Sequence, residues 1–162
     1  MMIEERTIAS RLPRARIWTA MTDLDRIGLW SGFARCISTG RGVLEGGRTY
    51  VCRLEVAGDV VDASLCVTAL ERPALLCLRT ESSMAVVDER IRLEPTVEGT
   101  DVHYAISATS SMFGPAVKMW LARHVSVVHG GLAAFVGDEG AIDTRPSLQS
   151  VDTDATARDL RR

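Results

Sequence analysis

Two residues interrupt apolar patterns of the sequence and have side chains that can do acid–base chemistry. Glu89 lies in AVVDERIRLEP, in the same phase of the alternation as Val87, and His124 lies in FGPAVKMWLARHVSVVHGGLAAF, one helical turn from Trp120 and Val128. Burying either group without a partner costs ~1–3 kcal/mol, so each should find a hydrogen bond, a ligand or water. If the two face each other, His124 can act as a general acid or base near neutral pH, and Glu89 can orient it.

A purely structural role is the alternative for both residues. His124 can pair locally on its own helix, and Glu89 can reach solvent at the sheet edge if a one-residue bulge turns it outward. His103 and His129 lie off the predicted inward faces and are expected at the surface. The residues alone therefore leave binding and catalysis open.

Other catalytic and metal-binding patterns are not found in the sequence. The serine pairs at 82–83 and 110–111 lack the G-x-S-x-G setting of a hydrolase nucleophile. No C-x-x-C pair or zinc-like histidine spacing occurs, and the three histidines are scattered. We therefore expect no metal and no cofactor. The cysteines fall in strand-like segments and are predicted to be buried free thiols: Cys36, Cys52, Cys66 and Cys77.

Composition limits the class of protein. With 162 residues, of which 46% are hydrophobic and 25% charged, the chain can bury one core without disulfides or metals. The formal net charge of -2 argues against a nucleic acid as partner, because phosphate binding needs a basic surface. No segment has the ~18–20 consecutive apolar residues of a membrane span, and the start lacks the apolar region of a signal peptide. We therefore expect a cytoplasmic protein without stable membrane insertion.

The hydrophobic periodicity predicts seven strands and one long helix. A first strand over 2–10 precedes Pro13, which begins one or two short helices in RARIWTAMTDLDRIGLW. Short turns then place six strands in antiparallel order: ARCIST, RTYVCRLEV, VVDASLCVTAL, ALLCLRTES, AVVDERIRLEP and DVHYAISATS. A helix from 112 to about 136 is over ~30 Å long and can cover the dry face of the sheet. Gly130 and Gly131 are expected to let it approach the sheet closely or to bend it. Residues 138–162 are predicted to be a flexible tail after a domain spanning 1–137.

This order of elements resembles the helix-grip fold of the SRPBCC superfamily. Similar local stretches are IASRLPRARIWTAMTDLDRIGLW, VLEGGRTYVCRL, VTALERPALLCL and LEPTVEGTDVHYAI. This START-like group includes polyketide cyclases and aromatases, lipid-transfer domains, CoxG-like proteins and hydrophobic-ligand-binding plant allergens. The resemblance covers about residues 2–137, and its motifs are those of the fold rather than of catalysis.

The resemblance implies an α+β helix-grip fold, in which a seven-stranded antiparallel curved sheet wraps on a long C-terminal helix and two short helices follow the first strand. It also implies a cavity between sheet and helix for a hydrophobic or aromatic molecule, such as a polyketide, lipid or isoprenoid-like compound. The expected wall residues, each of which can instead simply fill the core, are Trp30, Tyr50, Leu65, Val67, Leu78, Val87, Ile91, Tyr104, Trp120, Leu121 and Val128. Two functions follow as expectations: binding of such a ligand, or a polyketide cyclase, aromatase or dehydratase in which His124 and Glu89 move protons. A homodimer is compatible with either.

Overall fold

The chain forms one antiparallel sheet and a long C-terminal helix. The computed structural model describes residues 2–31, 33–37, 42–56, 59–109 and 115–137. The strands are β1 (Met2–Ser10), β2 (Phe33–Ile37), β3 (Thr49–Val56), β4 (Asp59–Glu71), β5 (Leu75–Ser82), β6 (Val86–Pro95) and β7 (Thr100–Thr109). The helices are α1 (Arg14–Met21) and α2 (Pro115–Gly137), with a 3₁₀ segment at Ile27–Leu29. The predicted α+β architecture, with an antiparallel sheet and a C-terminal helix, is confirmed.

The sheet has the strand order β1-β7-β6-β5-β4-β3-β2, so β1 and β2 form its edges. Strands β2 to β7 follow one another in the sheet. Short turns join β3 through β7, and only antiparallel neighbours can be joined in this way. Between β6 and β7 the turn is closed by the amide of Thr96, which donates to the carbonyl of Gly99 at 3.0 Å. This turn fixes the register in which Ile91 pairs with Tyr104.

The prediction of a second short helix is wrong: in its place the chain forms a single 3₁₀ turn at Ile27–Leu29. Just before it, the side chain of Asp23 accepts a hydrogen bond from the amide of Asp25 at 3.0 Å, and the carbonyl of Asp23 accepts one from the amide of Arg26 at 3.0 Å. A side chain that bonds to nearby backbone in this way stabilises a turn in competition with a helix. Gly28 within the segment also disfavours helix extension.

The core lies between one face of the sheet, here called the inner face, and the helices. Its side chains alternate with those of the solvent-facing outer face, as the pleat of a strand requires. Inner positions such as Leu65, Leu78 and Ile91 are almost fully buried.

The cysteines were predicted to be buried. Cys52 is buried, whereas Cys66 and Cys77 are only half-buried. They pair in register with Arg79 and Arg90, which are exposed, and so belong to the outer face; the side chain of Cys36 lies outside the described residues.

Helix α2 is fixed near its C-terminal end by two contacts. The hydroxyl of Ser10, at the end of β1, donates to the carbonyl of Val136 at 2.6 Å. A Cβ atom placed on Gly131 would lie 3.3 Å from the carbonyl oxygen of Trp30, so the close approach at Gly131 is to the end of the 3₁₀ segment and not to the sheet as predicted. Gly130 has open space around it. The predicted helix start at 112 and the predicted tail at 138–162 lie outside the described residues. Within the ranges that are described, no helix is both long and apolar enough to cross a membrane.

Candidate functional site

Glu89 lies on the inner face, where its carboxyl group is enclosed in the core. Its side chain is 3% exposed, and the hydroxyl of Tyr104 donates to its Oε1 atom at 2.8 Å. Strand β6 pairs without a register shift on both sides of Glu89, with Leu78 on β5 and Ile106 on β7. No bulge therefore turns Glu89 outward, and the alternative in which it reaches solvent is wrong.

Burial changes the acid–base properties of this pair. It raises the pKa of the Glu89 carboxyl to about 7, although the hydrogen bond from Tyr104 acts in the opposite direction. Burial, followed by the nearby Glu89 carboxyl, also raises the pKa of Tyr104 above its usual value. The phenol proton therefore stays on Tyr104 at neutral pH. Glu89, in contrast, can give up or accept a proton there, which is the property required of a general acid or base.

Two further buried polar atoms lack a partner among the described residues. The Thr80 hydroxyl lies on the inner face of β5, between Leu65 and Val87 in register, and the second atom is the indole Nε1 of Trp30. Thr80 is 2% exposed and Trp30 is fully buried. Buried polar groups are normally hydrogen-bonded, so these two atoms have an unused capacity for a water or ligand oxygen.

The register places Thr80, Glu89 and Tyr104 on a diagonal across β5, β6 and β7. At the edge strand β1, Arg6 pairs with Tyr104, and its guanidinium forms a 2.6 Å ion pair with Glu4. The Glu4 carboxylate is close enough to contribute to the raised pKa of Tyr104. The inner face thus carries a polar diagonal, defined here as Thr80, Glu89 and Tyr104, that runs from the middle of the sheet to a charged margin on β1.

His124 is buried on α2 and contacts an aromatic neighbour on the same helix. Its ring stacks on Trp120, with the ring centroids 5.3 Å apart and the planes inclined by 25°. Burial lowers the pKa of the imidazole, so His124 is neutral at pH 7. The structure therefore gives His124 the local contact of the structural alternative. A shared site with Glu89 remains a proposal.

The predicted wall residues that the structure describes are all buried. They are Trp30, Tyr50, Leu65, Val67, Leu78, Val87, Ile91, Tyr104, Trp120 and Val128, each at most 8% exposed. The side chain of Leu121 lies outside the described residues. On the sheet, these residues share the inner face with Glu89, as in the pairings of Tyr50 with Leu65 and of Val67 with Leu78. The same set of residues therefore forms the core and surrounds the polar diagonal.

Sequence reasoning missed two parts of this site, although signals for both exist. Tyr104 was expected as a wall residue and not as the partner of Glu89, but a four-residue turn between Pro95 and Thr100 fixes the register that brings them together. Thr80 is in phase with Leu76 and Leu78, which marks it as an inward-facing hydroxyl. The first signal depends on strand pairing, and the second is the alternation within β5 itself.

The outer face of β1, β7 and β6 carries a separate polar network beside an open groove of about 390 Å³. The Thr7 hydroxyl and Nδ1 of His103 are 3.0 Å apart, and Nε2 of His103 is 3.3 Å from a carboxylate oxygen of Glu94. Glu94 also forms a 2.9 Å ion pair with Arg92. His103 is 39% exposed, so this network is in contact with water. Within the described ranges, no group of three or more histidine, cysteine or acidic residues is arranged to hold a metal ion.

Comparison by sequence gives no match to a protein-family profile or to a curated protein. Comparison by structure gives many. The aromatase/cyclase ZhuI from Streptomyces sp. R1128 aligns with a TM-score of 0.66 at 11% identity, over 83% of this chain and 93% of the other. Protein CV1439 from Chromobacterium violaceum aligns with a TM-score of 0.64 at 14% identity, over 85% and 99%. Ara h 8.0201 aligns with a TM-score of 0.60 at 12% identity, over 83% and 97%.

The chain has a helix-grip fold. At these identities the similarity extends to the arrangement of the sheet and the C-terminal helix, in agreement with the sequence resemblance. DynU16, a putative protein of the dynemicin biosynthetic locus, shares this arrangement with a TM-score of 0.58 at 18% identity, over 82% of this chain and 46% of the other. The helix-grip fold leaves activity to the side chains inside it.

Proposed function

We propose that this helix-grip protein binds a hydrophobic or aromatic small molecule between the inner face of the sheet and helix α2. The observation that carries the proposal is the polar diagonal, because a few enclosed polar groups in an apolar surround are typical of ligand pockets. Glu89 and Tyr104 bond to each other. The buried hydroxyl of Thr80, in contrast, lacks a partner among the described residues. Structural similarity to an aromatase/cyclase adds support.

Binding of a neutral fluorescent apolar probe, N-phenyl-1-naphthylamine, tests this proposal. Val128 is fully buried on α2, so Val128→Trp should fill the interior and abolish the probe fluorescence. Val127 is the next residue and is 53% exposed, which makes Val127→Trp a matched control that should bind like the wild type. Circular dichroism establishes that both variants are folded. Failure of the wild type to bind, or equal binding by both variants, would contradict the proposal.

A second candidate function is a polyketide cyclase, aromatase or dehydratase in which Glu89 and His124 move protons. The specific observation in its favour is the Glu89 carboxyl, whose pKa of about 7 matches the requirement of a general acid or base at neutral pH. Aldol closure and water loss both need such proton transfers, and an enclosed pocket would hold the reacting chain in a folded conformation.

The position of His124 along α2 supports a shared site. His124 is twelve residues before Val136, which places it ~18 Å from the contact with Ser10 at a rise of ~1.5 Å per residue. Along β1, Arg6 and Glu4 are ~13 and ~20 Å from Ser10 at ~3.3 Å per residue. Helix α2 packs on β1, and these two residues pair with Tyr104 and Ile106. If α2 runs along β1, His124 lies at the level of the Glu89–Tyr104 pair.

Turnover of a model polyketide separates the two functions. Under the catalytic proposal, Glu89→Gln and His124→Ala each lower turnover about 10²-fold or more, because a positioned acid or base contributes at least this much. Under binding alone, the wild type retains the polyketide without converting it. Unchanged turnover in His124→Ala would remove His124 from the mechanism.

A further inference from the structure

We propose that the interior site selects a neutral ligand that carries a hydroxyl or carbonyl oxygen, that Thr80 and Glu89 hydrogen-bond to this oxygen, and that carboxylate ligands are rejected. This inference rests on the proposed binding function and narrows it. It separates polyketide-like or phenolic molecules from fatty acids, which the fold alone does not distinguish.

The first observation is the Thr80 hydroxyl. It is almost fully buried, has no partner among the described residues and lies on the inner face between the apolar side chains of Leu65 and Val87. A hydroxyl in such a position costs free energy unless something accepts or donates a hydrogen bond there. Its neighbours in register are aliphatic and no described residue bonds to it, so a ligand oxygen can take this position.

The second observation is the Glu89 carboxyl, which is diagonal to Thr80 on the adjacent strand. Tyr104 bonds to Oε1, and Oε2 has no hydrogen-bond partner among the described residues. When protonated, the carboxyl can donate a hydrogen bond to a ketone, and when ionised it can accept one from a phenol. When ionised, it repels a carboxylate anion, and this is the state that disfavours an acidic ligand.

The third observation concerns positive charge. Across the described strands, the inward-facing positions include one cationic residue, Arg6, which is on the edge strand β1. The Arg6 side chain is 55% exposed and paired with Glu4. A buried carboxylate ligand needs a cation or several donors to offset its desolvation. The polar diagonal provides instead one acid, the Tyr104 hydroxyl that already donates to this acid, and the Thr80 hydroxyl.

Displacement of N-phenyl-1-naphthylamine by three matched compounds tests the inference: naphthalene, 2-naphthol and 2-naphthoate. At pH 7.5 we expect 2-naphthol to displace the probe at least about tenfold more effectively than 2-naphthoate, and more effectively than naphthalene. Thr80→Val keeps the shape of the side chain and removes the hydroxyl, so it should weaken 2-naphthol about tenfold and leave naphthalene unchanged. Glu89→Gln should strengthen 2-naphthoate, because it removes the negative charge and adds a donor.

Thr68→Val is the matched control, because Thr68 is exposed on the next strand, β4, and should leave all three affinities unchanged. Thr80→Val should fold at least as stably as the wild type, since it removes a buried hydroxyl without a partner, so weaker binding cannot be attributed to unfolding. Equal displacement by the three compounds, or an equal effect of Thr80→Val on all of them, would overturn the inference while the proposed function stands. Absence of probe binding to the wild type would overturn both.

Discussion

Strands β1, β7 and β6 carry a hydrogen-bonded acid on each face of the sheet, in opposite surroundings. On the inner face, Glu89 is 3% exposed and bonds to Tyr104. On the outer face, the Glu94 side chain is 44% exposed and contacts both Arg92 and His103. The outer acid thus has a cationic partner, Arg92, in addition to His103, whereas the inner acid has one neutral partner.

The two acids differ above all in burial, and the hydrogen bond from one neutral partner does not offset the effect of burial on the pKa of Glu89. Water and counterions screen the outer ion pairs, so each contributes little to stability. Inside, the single phenol does not offset the desolvation of the carboxylate, and the pKa of Glu89 rises to about 7. Three predictions test this contrast.

The largest expected effect is on the pH dependence of stability. The pKa of Glu89 is raised from 4.5 to about 7 on folding, so the native state holds this proton when the unfolded chain has lost it. The free energy of unfolding should therefore fall as pH rises from about 4.5 to about 7, by on the order of 3 kcal/mol from this group. Urea unfolding measured across this range should show the decline, and Glu89→Gln should remove it.

His124 affects the pH dependence of stability in the opposite direction. Burial lowers its pKa below 6.5, so the unfolded chain takes up this proton first as pH falls, and stability is lost towards acid. In Glu89→Gln, the contribution of His124 should make the free energy of unfolding rise with pH up to about 6.5. His124→Ala, added to this variant, should abolish that rise. Glu94→Gln changes the exposed outer acid and should keep the wild-type slope. An identical slope in Glu89→Gln and wild type would show that the inner acid does not titrate as described.

The next effect concerns the hydrogen bond within the inner pair. Tyr104→Phe leaves Glu89 without this donor and should cost ~1–3 kcal/mol at pH 8.5, where the carboxyl is ionised, and less at pH 5.5. Tyr50→Phe is a matched control, since the Tyr50 hydroxyl is also buried but accepts from the backbone amide of Glu45 at 3.0 Å. Its cost should be the same at both pH values. A pH-independent loss in Tyr104→Phe would disprove the coupling to Glu89.

The smallest effect is expected on the outer face. Thr7→Val removes the hydrogen bond to His103 on an exposed edge strand and should change the free energy of unfolding by less than ~0.5 kcal/mol. Urea unfolding at pH 8 measures it directly. A loss as large as that of Tyr104→Phe would mean that the outer network is as tightly coupled as the inner pair, and the contrast between the faces would fail.

Much of the fold could be predicted because local patterns determine it. Alternation and Pro13 set the bounds of β1, and the period of two assigned Leu65 and Ile91 to the inner face. The second short helix was predicted incorrectly because the side chain of Asp23 competes for backbone amides, and periodicity does not register this effect.

Less of the site could be predicted, because it depends on pairing between segments. The inward phase of Glu89 followed from its own strand, but its partner Tyr104 depends on the register across β6 and β7. The stacking of His124 on Trp120 is local and agrees with helical spacing. The distance between His124 and Glu89 depends on how α2 crosses the sheet, and no single segment encodes that crossing.

The close approach of Gly131 to the carbonyl of Trp30 limits where substitutions can enlarge the interior of this fold. At this point even one methyl group would press on backbone, which cannot yield as a flexible side chain can, so this part of α2 packs closely only with glycine at position 131. Residues near Val136 are therefore poor places to enlarge the interior. Under the proposed binding function, variants that accept bulkier ligands should instead carry smaller side chains at Trp120 or Leu78, where only side chains have to yield.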